Sequence, residues 1–193
     1  MLSTKLLLAA YCQGIFPMAV NAQGTIAWYS PDPRALIPLD DRFHIPRGLE
    51  RTLRRNKFEI TVDAQFEGVI RACSKAHGDS WISGEIINSY IELNREGFAH
   101  SVEICLEGEL VGGLYGVHIG GAFFGESMFH LVTDASKVAL VALVERLRER
   151  AFVLLDTQWA TPHLKQFGTY LVPKYEYLQL LRKAISLDRQ FDV

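Results

Sequence analysis

Hydrophobic residues alternate with polar or small ones through the middle of the chain, which is typical of β-strands. The alternation runs over residues 102–106, 110–118 and 122–129. The intervening Glu107-Gly108-Glu109 and Gly120-Gly121 have the composition of tight turns. The pattern predicts an antiparallel meander of three strands. The glycines at 112, 113 and 116 match neither a phosphate-binding loop nor a dinucleotide fingerprint, so we interpret them as positions of close backbone approach.

Helical spacing of apolar residues flanks this meander on both sides. A helix over 46–55 is predicted to begin at Pro46, with Leu49 and Leu53 on one side. Asp63 is expected to cap a helix that runs to residue 76, and Ser83 a helix that runs to about residue 97. Further expected elements are helices over 134–150, 162–166 and 174–185, strands over 58–62, 152–158 and 169–172, and a loop-rich first third with a short helix ending at Gly14.

These elements predict an α+β fold with a mixed central sheet, divided into a small N-terminal part, residues 1–60, and a larger part, residues 61–193. The 193 residues are 49% hydrophobic and 22% charged, as in ordinary globular proteins. Apolar runs fall short of the roughly 20 residues that span a bilayer. Three cysteines and six histidines lack the spacing of metal ligands or of a disulfide framework. We therefore expect a cytoplasmic protein with no membrane association and no metal.

The net charge of −2 conceals a strongly basic segment. Residues 42–57 contain six arginines and lysines and one glutamate, a local charge of +5, so the rest of the chain carries −7. Four of these cations fall on one face of the predicted helix: Arg47, Arg51, Arg54 and Arg55. The face is either simply solvated or binds the phosphates of a nucleic acid. Trp28 and Trp81 either stack on exposed bases or belong to the core.

A carboxylate, Glu126, lies within an apolar strand, where an unpaired charge is costly. It either has a function or is neutralised by backbone hydrogen bonds or by Lys137. Strand alternation predicts that Glu126 shares a face with Phe124 and Met128. If the strand over 152–158 is its neighbour, Asp156 and Gln158 converge with Glu126 and supply acid, base and amide groups. Asp156 is equally suited to capping a helix.

Seven motifs in order resemble the leucyl/phenylalanyl-tRNA-protein transferases of bacteria over nearly the whole chain. They are Ala10-Tyr11-x-x-Gly14-x-Phe16-Pro17-Met18, Trp28-Tyr29-Ser30-Pro31-Asp32-Pro33-Arg34, Ser80-Trp81-Ile82, Gly112-Gly113-Leu114-Tyr115-Gly116-Val117, Phe124-Gly125-Glu126-Ser127-Met128-Phe129, Asp134-Ala135-Ser136-Lys137, and Asp156-Thr157-Gln158 with His163-Leu164. The chain departs from the pattern at Tyr29, at Pro162 and over residues 166–169.

This resemblance implies a C-terminal domain with the GNAT-like acyltransferase fold, needing no cofactor. It implies transfer of Leu or Phe, and possibly Met, from aminoacyl-tRNA to the N-terminal amine of proteins that start with Arg or Lys, which creates a degradation signal. The implied reaction centre is Glu126, Asp156 and Gln158, and Trp28 and Trp81 are implied near the terminal adenosine. The implied apolar pocket is Leu114, Phe123, Leu140, Leu143 and Leu155.

The arginine face would then bind the tRNA body, and we expect a monomer. One alternative is another GNAT-like N-acyltransferase that uses a thioester donor, although no glycine-rich pyrophosphate loop is found. Another is a noncatalytic RNA-binding module, which leaves Glu126 unexplained.

Overall fold

The computed structural model describes residues 1–21, 23–76 and 81–191. Its helices are α1 (Thr4–Tyr11), α2 (Arg47–Arg54), α3 (Phe66–Ala76), α4 (Gly84–Arg95), α5 (Ala135–Glu149), α6 (Pro162–Lys165) and α7 (Lys174–Ile185). Its strands are β1 (Phe16–Ala19), β2 (Ile26–Tyr29), β3 (Arg34–Ile37), β4 (Glu59–Val62), β5 (Ala99–Leu106), β6 (Glu109–Ile119), β7 (Ala122–His130), β8 (Leu154–Gln158) and β9 (Tyr170–Val172). The α+β class and the three-stranded meander are confirmed.

The main sheet has seven strands in the order β4-β5-β6-β7-β8-β3-β9. All neighbours are antiparallel except β7 and β8, which are parallel. The predicted adjacency of the strands carrying Glu126 and Asp156 is thus confirmed. The sheet is mixed, as expected.

Helices cover both faces of this sheet, giving three layers. One core lies under α1, α3, α4 and α7. The other lies under α2, α5 and α6. Each strand contributes alternate side chains to the two cores, which is why the central strands are apolar on both faces.

The first third of the chain is more regular than predicted. It contains α1, the β1–β2 hairpin and β3, and β3 inserts between β8 and β9 of the main sheet. The loop-rich interpretation was wrong because Pro17 and Pro33 punctuate the segment without preventing short strands. The domain boundary near residue 60 stays a prediction.

Helix starts show which capping signals were decisive. Ser83 caps α4 as predicted, since its hydroxyl accepts from the backbone N–H of Ile86. Pro46 is the residue before α2 rather than its first residue. Asp63 does not cap α3. Its carboxylate instead accepts from the backbone N–H of Ser101 at 2.8 Å, in the neighbouring strand β5.

Candidate active site

A cavity of about 510 Å³ opens where the two parallel strands separate. Pairing of β7 with β8 ends at Phe124 opposite Asp156, and beyond that point the residues of both strands line the cavity. The carboxyl ends of neighbouring parallel strands are a common position for ligand sites. Topology therefore places the cavity at the site that the sequence predicted from Glu126, Asp156 and Gln158.

Glu126 is the extra residue of a β-bulge in β7. The register with β6 pairs Gly116 with Gly125 and Tyr115 with Ser127, so Glu126 has no direct partner. Gly116 is required there, because a β-carbon would collide with the carbonyl oxygen of Phe124 and the ring of Phe123. Bulges often redirect a side chain beside an active site.

The bulge overturns the predicted strand face. Phe124 packs in the core under α1 and α3, whereas Met128 packs against the core under α5. The two residues do not share a face, because the inserted residue shifts the alternation by one position. Period-2 alternation cannot anticipate such an insertion.

The carboxyl group of Glu126 is held by two hydrogen bonds on one oxygen. The hydroxyl of Tyr11 donates to Oε1 at 2.7 Å, and the side-chain amide of Gln158 donates to the same oxygen at 3.3 Å. Tyr11 is itself hydrogen-bonded to the hydroxyl of Tyr90. Neither bond to Glu126 occupies Oε2. The suggested pairing with Lys137 was wrong, since Lys137 binds Asp134 at 3.0 Å.

Burial raises the pKa of Glu126 from 4.5 to about 8. The hydrogen bond from Tyr11 opposes this rise, the nearby carboxylate of Asp156 adds to it, and the charge of Arg34 opposes it. Glu126 is therefore mostly protonated at neutral pH, and it takes up or releases its proton near the pKa of about 8 that is usual for an α-amino group.

Asp156 is completely buried and fully bonded. Arg34 donates to both its oxygens, from Nε to Oδ1 at 2.9 Å and from Nη2 to Oδ2 at 2.8 Å. The hydroxyl of Tyr177 donates to Oδ2 at 2.6 Å. The backbone N–H of Gln158 donates to Oδ1 at 2.9 Å. These bonds exclude the alternative in which Asp156 caps a helix. Asp156 is also not among the residues that line the cavity.

Gln158 owes its position to Asp156. Its backbone is left-handed, with φ of 58°, and Thr157 before it is the extra residue of a bulge against β3. Left-handed backbone is uncommon for a residue other than glycine and is stabilised here by the bond from its N–H to Asp156. The result is that the amide side chain enters the cavity beside Glu126.

The rest of the cavity wall is mainly apolar and aromatic. Of the residues expected in the pocket, four line the cavity: Leu114, Leu140, Leu143 and Leu155. Phe123 does not, because it is buried in the core against Phe191. Trp81 lines the cavity, whereas Trp28 lies on the short hairpin and is 39% exposed.

The four arginines expected to bind tRNA are all solvent-exposed on α2: Arg47, Arg51, Arg54 and Arg55. The opposite side of α2 packs against α5 through Leu49. The structure thus places the four cations on one open surface, and their role stays a prediction.

Several side chains of the site were not assigned a role from the sequence. They are Tyr11, Arg34, Tyr90, Tyr115, Trp159, His163 and Tyr177. Tyr11 and Arg34 fall within the motifs that carried the family resemblance, so the motif positions offered a signal for them. Tyr90 and Tyr177 look like ordinary core positions of amphipathic helices, and only the fold shows that they surround the two acids. Within the three described ranges, no cluster of three or more His, Cys, Asp or Glu side chains could hold a metal ion.

Comparison with known proteins identifies the family of this chain. The model of the leucyl/phenylalanyl-tRNA protein transferase family matches residues 36–182, and that of its N-terminal domain matches residues 1–32. The chain belongs to this family. It is therefore an aminoacyltransferase, as the sequence predicted.

Two relatives illustrate how complete the similarity is. The leucyl/phenylalanyl-tRNA–protein transferase of Akkermansia muciniphila is 58% identical over 96% of this chain and 97% of its own length. That of Herpetosiphon aurantiacus is 55% identical over 98% of both chains.

Among solved structures, L-PGS from Bacillus licheniformis has a TM-score of 0.50 at 13% identity, covering 94% of this chain and 76% of that one. The likeness concerns the fold alone, and the α+β class with a mixed sheet is the one expected from the sequence.

No helix in the three described ranges is long and apolar enough to cross a membrane.

Proposed function

We propose that this protein transfers Leu or Phe from aminoacyl-tRNA to the N-terminal amine of proteins that begin with Arg or Lys. The observation that carries the proposal is a single cavity with leucine side chains on one wall and the Glu126 carboxyl and Gln158 amide on another. Such a cavity suits a donor with a large apolar side chain and an acceptor amine. Family membership favours a tRNA-linked donor over a thioester donor.

The apolar wall would bind the side chain of the transferred residue. Leu114, Leu140, Leu143 and Leu155 enclose it on the side facing α5. Adding or removing one methylene group of the bound side chain changes the free energy of binding in such a pocket by about 1 to 3 kcal/mol, and a charged side chain is disfavoured more strongly. Trp81 and Trp159 lie in the same wall and offer flat faces for the terminal adenosine.

The reaction is aminolysis of an ester, so the incoming α-ammonium must first lose a proton. Glu126 is suited to accept it in its ionised form, which a pKa of about 8 keeps as a minor fraction at neutral pH and which matches an α-amine in basicity. Its Oε2 carries neither of the two hydrogen bonds described above. The amine nitrogen then attacks the ester carbonyl carbon. The new amide bond forms, the carbon–oxygen ester bond breaks, and the ribose hydroxyl leaves with a proton.

Gln158 would orient the amine, and Asp156 would act as a positioning residue. The amide nitrogen of Gln158 donates to Glu126, and its carbonyl oxygen, which has no donor among residues 1–21, 23–76 and 81–191, would accept from the incoming N–H groups. Asp156 would act through the backbone of Gln158 rather than by touching substrate, since it is buried and fully bonded. Tyr115 lines the same cavity, and its buried hydroxyl has no partner within the described residues, so we expect it to donate to the developing oxyanion.

The arginine face of α2 would bind the tRNA body through its phosphates, without reading sequence. The charge of −7 outside residues 42–57 favours acceptors with cationic N-termini. Every group proposed to act comes from one chain, so a monomer suffices. The reaction belongs in the cytoplasm, where charged tRNA and its acceptor proteins meet.

Transfer of label tests this proposal. The protein is incubated with radiolabelled Leu-tRNA and a folded acceptor whose N-terminal residue is Arg, beside the same acceptor with an acetylated N-terminus. We expect label on the free N-terminus and none on the acetylated one. Transfer from a labelled acyl-thioester of coenzyme A, with none from Leu-tRNA, would instead establish the thioester alternative.

A further inference from the structure

Two stretches of the family-like motifs, Asp134-Ala135-Ser136-Lys137 and His163-Leu164, have no part in the reaction centre, yet they meet at the rim of the cavity. Ser136, from the motif that begins α5, and His163, from the first turn of α6, both line the cavity together with His130 at the end of β7. Lys137 follows Ser136 directly. This group of His130, Lys137 and His163 is called the rim cluster below.

The rim cluster is organised by short polar contacts. Lys137 donates from Nζ to Oδ1 of Asp134 at 3.0 Å and keeps its other two N–H groups for further partners. Its side chain is 29% exposed. The hydroxyl of Ser136 lies 3.4 Å from Nδ1 of His130. Lys137 is therefore held by Asp134, and His130 lies beside Ser136 in the cavity wall.

His163 is the residue of the rim cluster that most directly indicates a bound ligand. Its Nε2 is buried and has no hydrogen-bond partner within the described residues. An unpaired buried polar atom destabilises the fold, so a native site that has one is often completed by a bound ligand. Burial lowers the pKa of His163, and the positive charges of Lys137 and His130 lower it further. An anion is the ligand that would satisfy all three groups.

The rim cluster also joins the cavity to the arginine face. Thr52 on α2 donates its hydroxyl to Oδ2 of Asp134 at 2.9 Å, the same carboxylate that holds Lys137. Lys57, just beyond α2, lies near enough to help lower the pKa of Asp134. Asp134 thus links α2, the helix that carries the exposed arginines, to Lys137 of the rim cluster.

We propose that Lys137, His130 and His163 bind backbone phosphates of the 3′-terminal nucleotides of the donor RNA as its esterified end enters the cavity. A phosphate oxygen would accept from Nζ of Lys137 and from Nε2–H of His163. This subsite rests on the proposed function, because its ligand belongs to the aminoacyl-tRNA donor. It adds a contact near the reacting end that the arginine face, on α2, does not make.

Two minimal donors separate this subsite from all other contacts. One is phenylalanyl-adenosine, which has no phosphate. The other is the 5′-phosphorylated CCA trinucleotide esterified with phenylalanine, which has three. Wild-type protein must transfer from full-length Phe-tRNA for the test to begin, so a failure of the proposed function would be recognised first.

We expect Lys137→Met to lower kcat/KM about tenfold for the trinucleotide donor and to leave phenylalanyl-adenosine unaffected, since it removes a charge-assisted contact to phosphate. His163→Leu should do the same, and His163→Gln, which retains an N–H donor, should recover part of the loss. Lys183→Met on exposed α7 is the control and should change neither donor.

Asp134→Asn distinguishes phosphate binding from mere support of the fold. It removes the charge that competes for Lys137, and asparagine tolerates the left-handed backbone of this position, where φ is 69°. The variant should bind the trinucleotide donor more tightly, opposite to what damage to α5 would cause. Equal losses for both donors in the Lys137 and His163 variants, or no loss for either, would overturn the proposal.

Discussion

Replacing Glu126 with glutamine should stabilise the protein while inactivating it. Glutamine has nearly the same shape and can still accept the hydrogen bond from Tyr11, but it cannot ionise. The perturbation therefore isolates the cost of placing an ionisable carboxyl in the cavity wall.

The sign follows from the raised pKa of Glu126, about 8 in the folded protein against 4.5 normally. Between these values the folded state binds more protons than the unfolded state, so the free energy of unfolding falls as pH rises. The stabilisation is complete below about pH 4.5 and is lost as pH rises through 8. The Glu126→Gln variant has no ionisable group at this position, so its free energy of unfolding does not fall for this reason.

The magnitude is about 1.4 kcal/mol per pH unit across this window. Because Glu126 lines the cavity and is only partly buried, we expect roughly 3 to 5 kcal/mol in favour of the variant at pH 8 to 9. This value is the change in the stability difference between variant and wild type relative to that difference near pH 4.5. A functional group that destabilises the fold is the usual trade-off of an active site.

The assay is urea denaturation of both proteins at intervals from pH 4.5 to 9, with Glu109→Gln, at an exposed position of β6, as the control. The control retains Glu126, so its free energy of unfolding should fall with rising pH as that of the wild type does. A Glu126→Gln difference that stays constant over this range would refute the raised pKa and, with it, the role of Glu126 as proton acceptor.

Three further variants test other parts of the site. Tyr177→Phe should lower the free energy of unfolding by about 2 kcal/mol and slow transfer, because it removes a buried hydrogen bond to Asp156. Tyr175→Phe, at a 69% exposed tyrosine of the same helix, should leave the stability unchanged. Equal effects of the two variants in denaturation would contradict this prediction. Charge reversal of Arg51 and Arg54 to Glu should raise the Kd for tRNA and reduce the steepness of log K against log salt concentration by about two, as measured by filter binding. The same reversal of Arg182 and Lys183 on α7 is the control and should change neither quantity. Unchanged binding of the Arg51/Arg54 variant would show that α2 does not contact the tRNA. Leu143→Phe should reduce the available cavity and lower kcat/KM for Phe-tRNA about tenfold more than for Leu-tRNA, so an equal reduction would place the side-chain pocket elsewhere.

The sequence predicted regular elements well where periodicity and end signals agreed. The last helix was predicted with its observed bounds, Lys174–Ile185, because proline precedes it and its apolar spacing is clear. The meander followed from alternation and turn glycines. These are local signals, and local signals are what a sequence displays most directly.

Features made by distant residues were not predictable in this way. The Arg34–Asp156 ion pair joins positions 122 apart in the chain, and it depends on the insertion of β3 beside β8. The bulge at Glu126 and the left-handed Gln158 are set by pairing register. The sequence could indicate that Asp156 and Glu126 are functional. Their separate roles, positioning residue and proton acceptor, could be assigned only once the structure showed that all hydrogen-bonding positions of Asp156 are occupied.

The most direct test of the account is the single-turnover rate of Gln158→Met with Leu-tRNA already bound. Gln158 lines the cavity and makes one side-chain bond, to Glu126, so its loss should spare the fold. If the reaction occurs where β7 and β8 separate, transfer to an Arg-initiated acceptor should slow about 100-fold while the Kd for Leu-tRNA stays unchanged. A rate equal to that of the wild type would place the reaction centre outside this cavity and contradict the account.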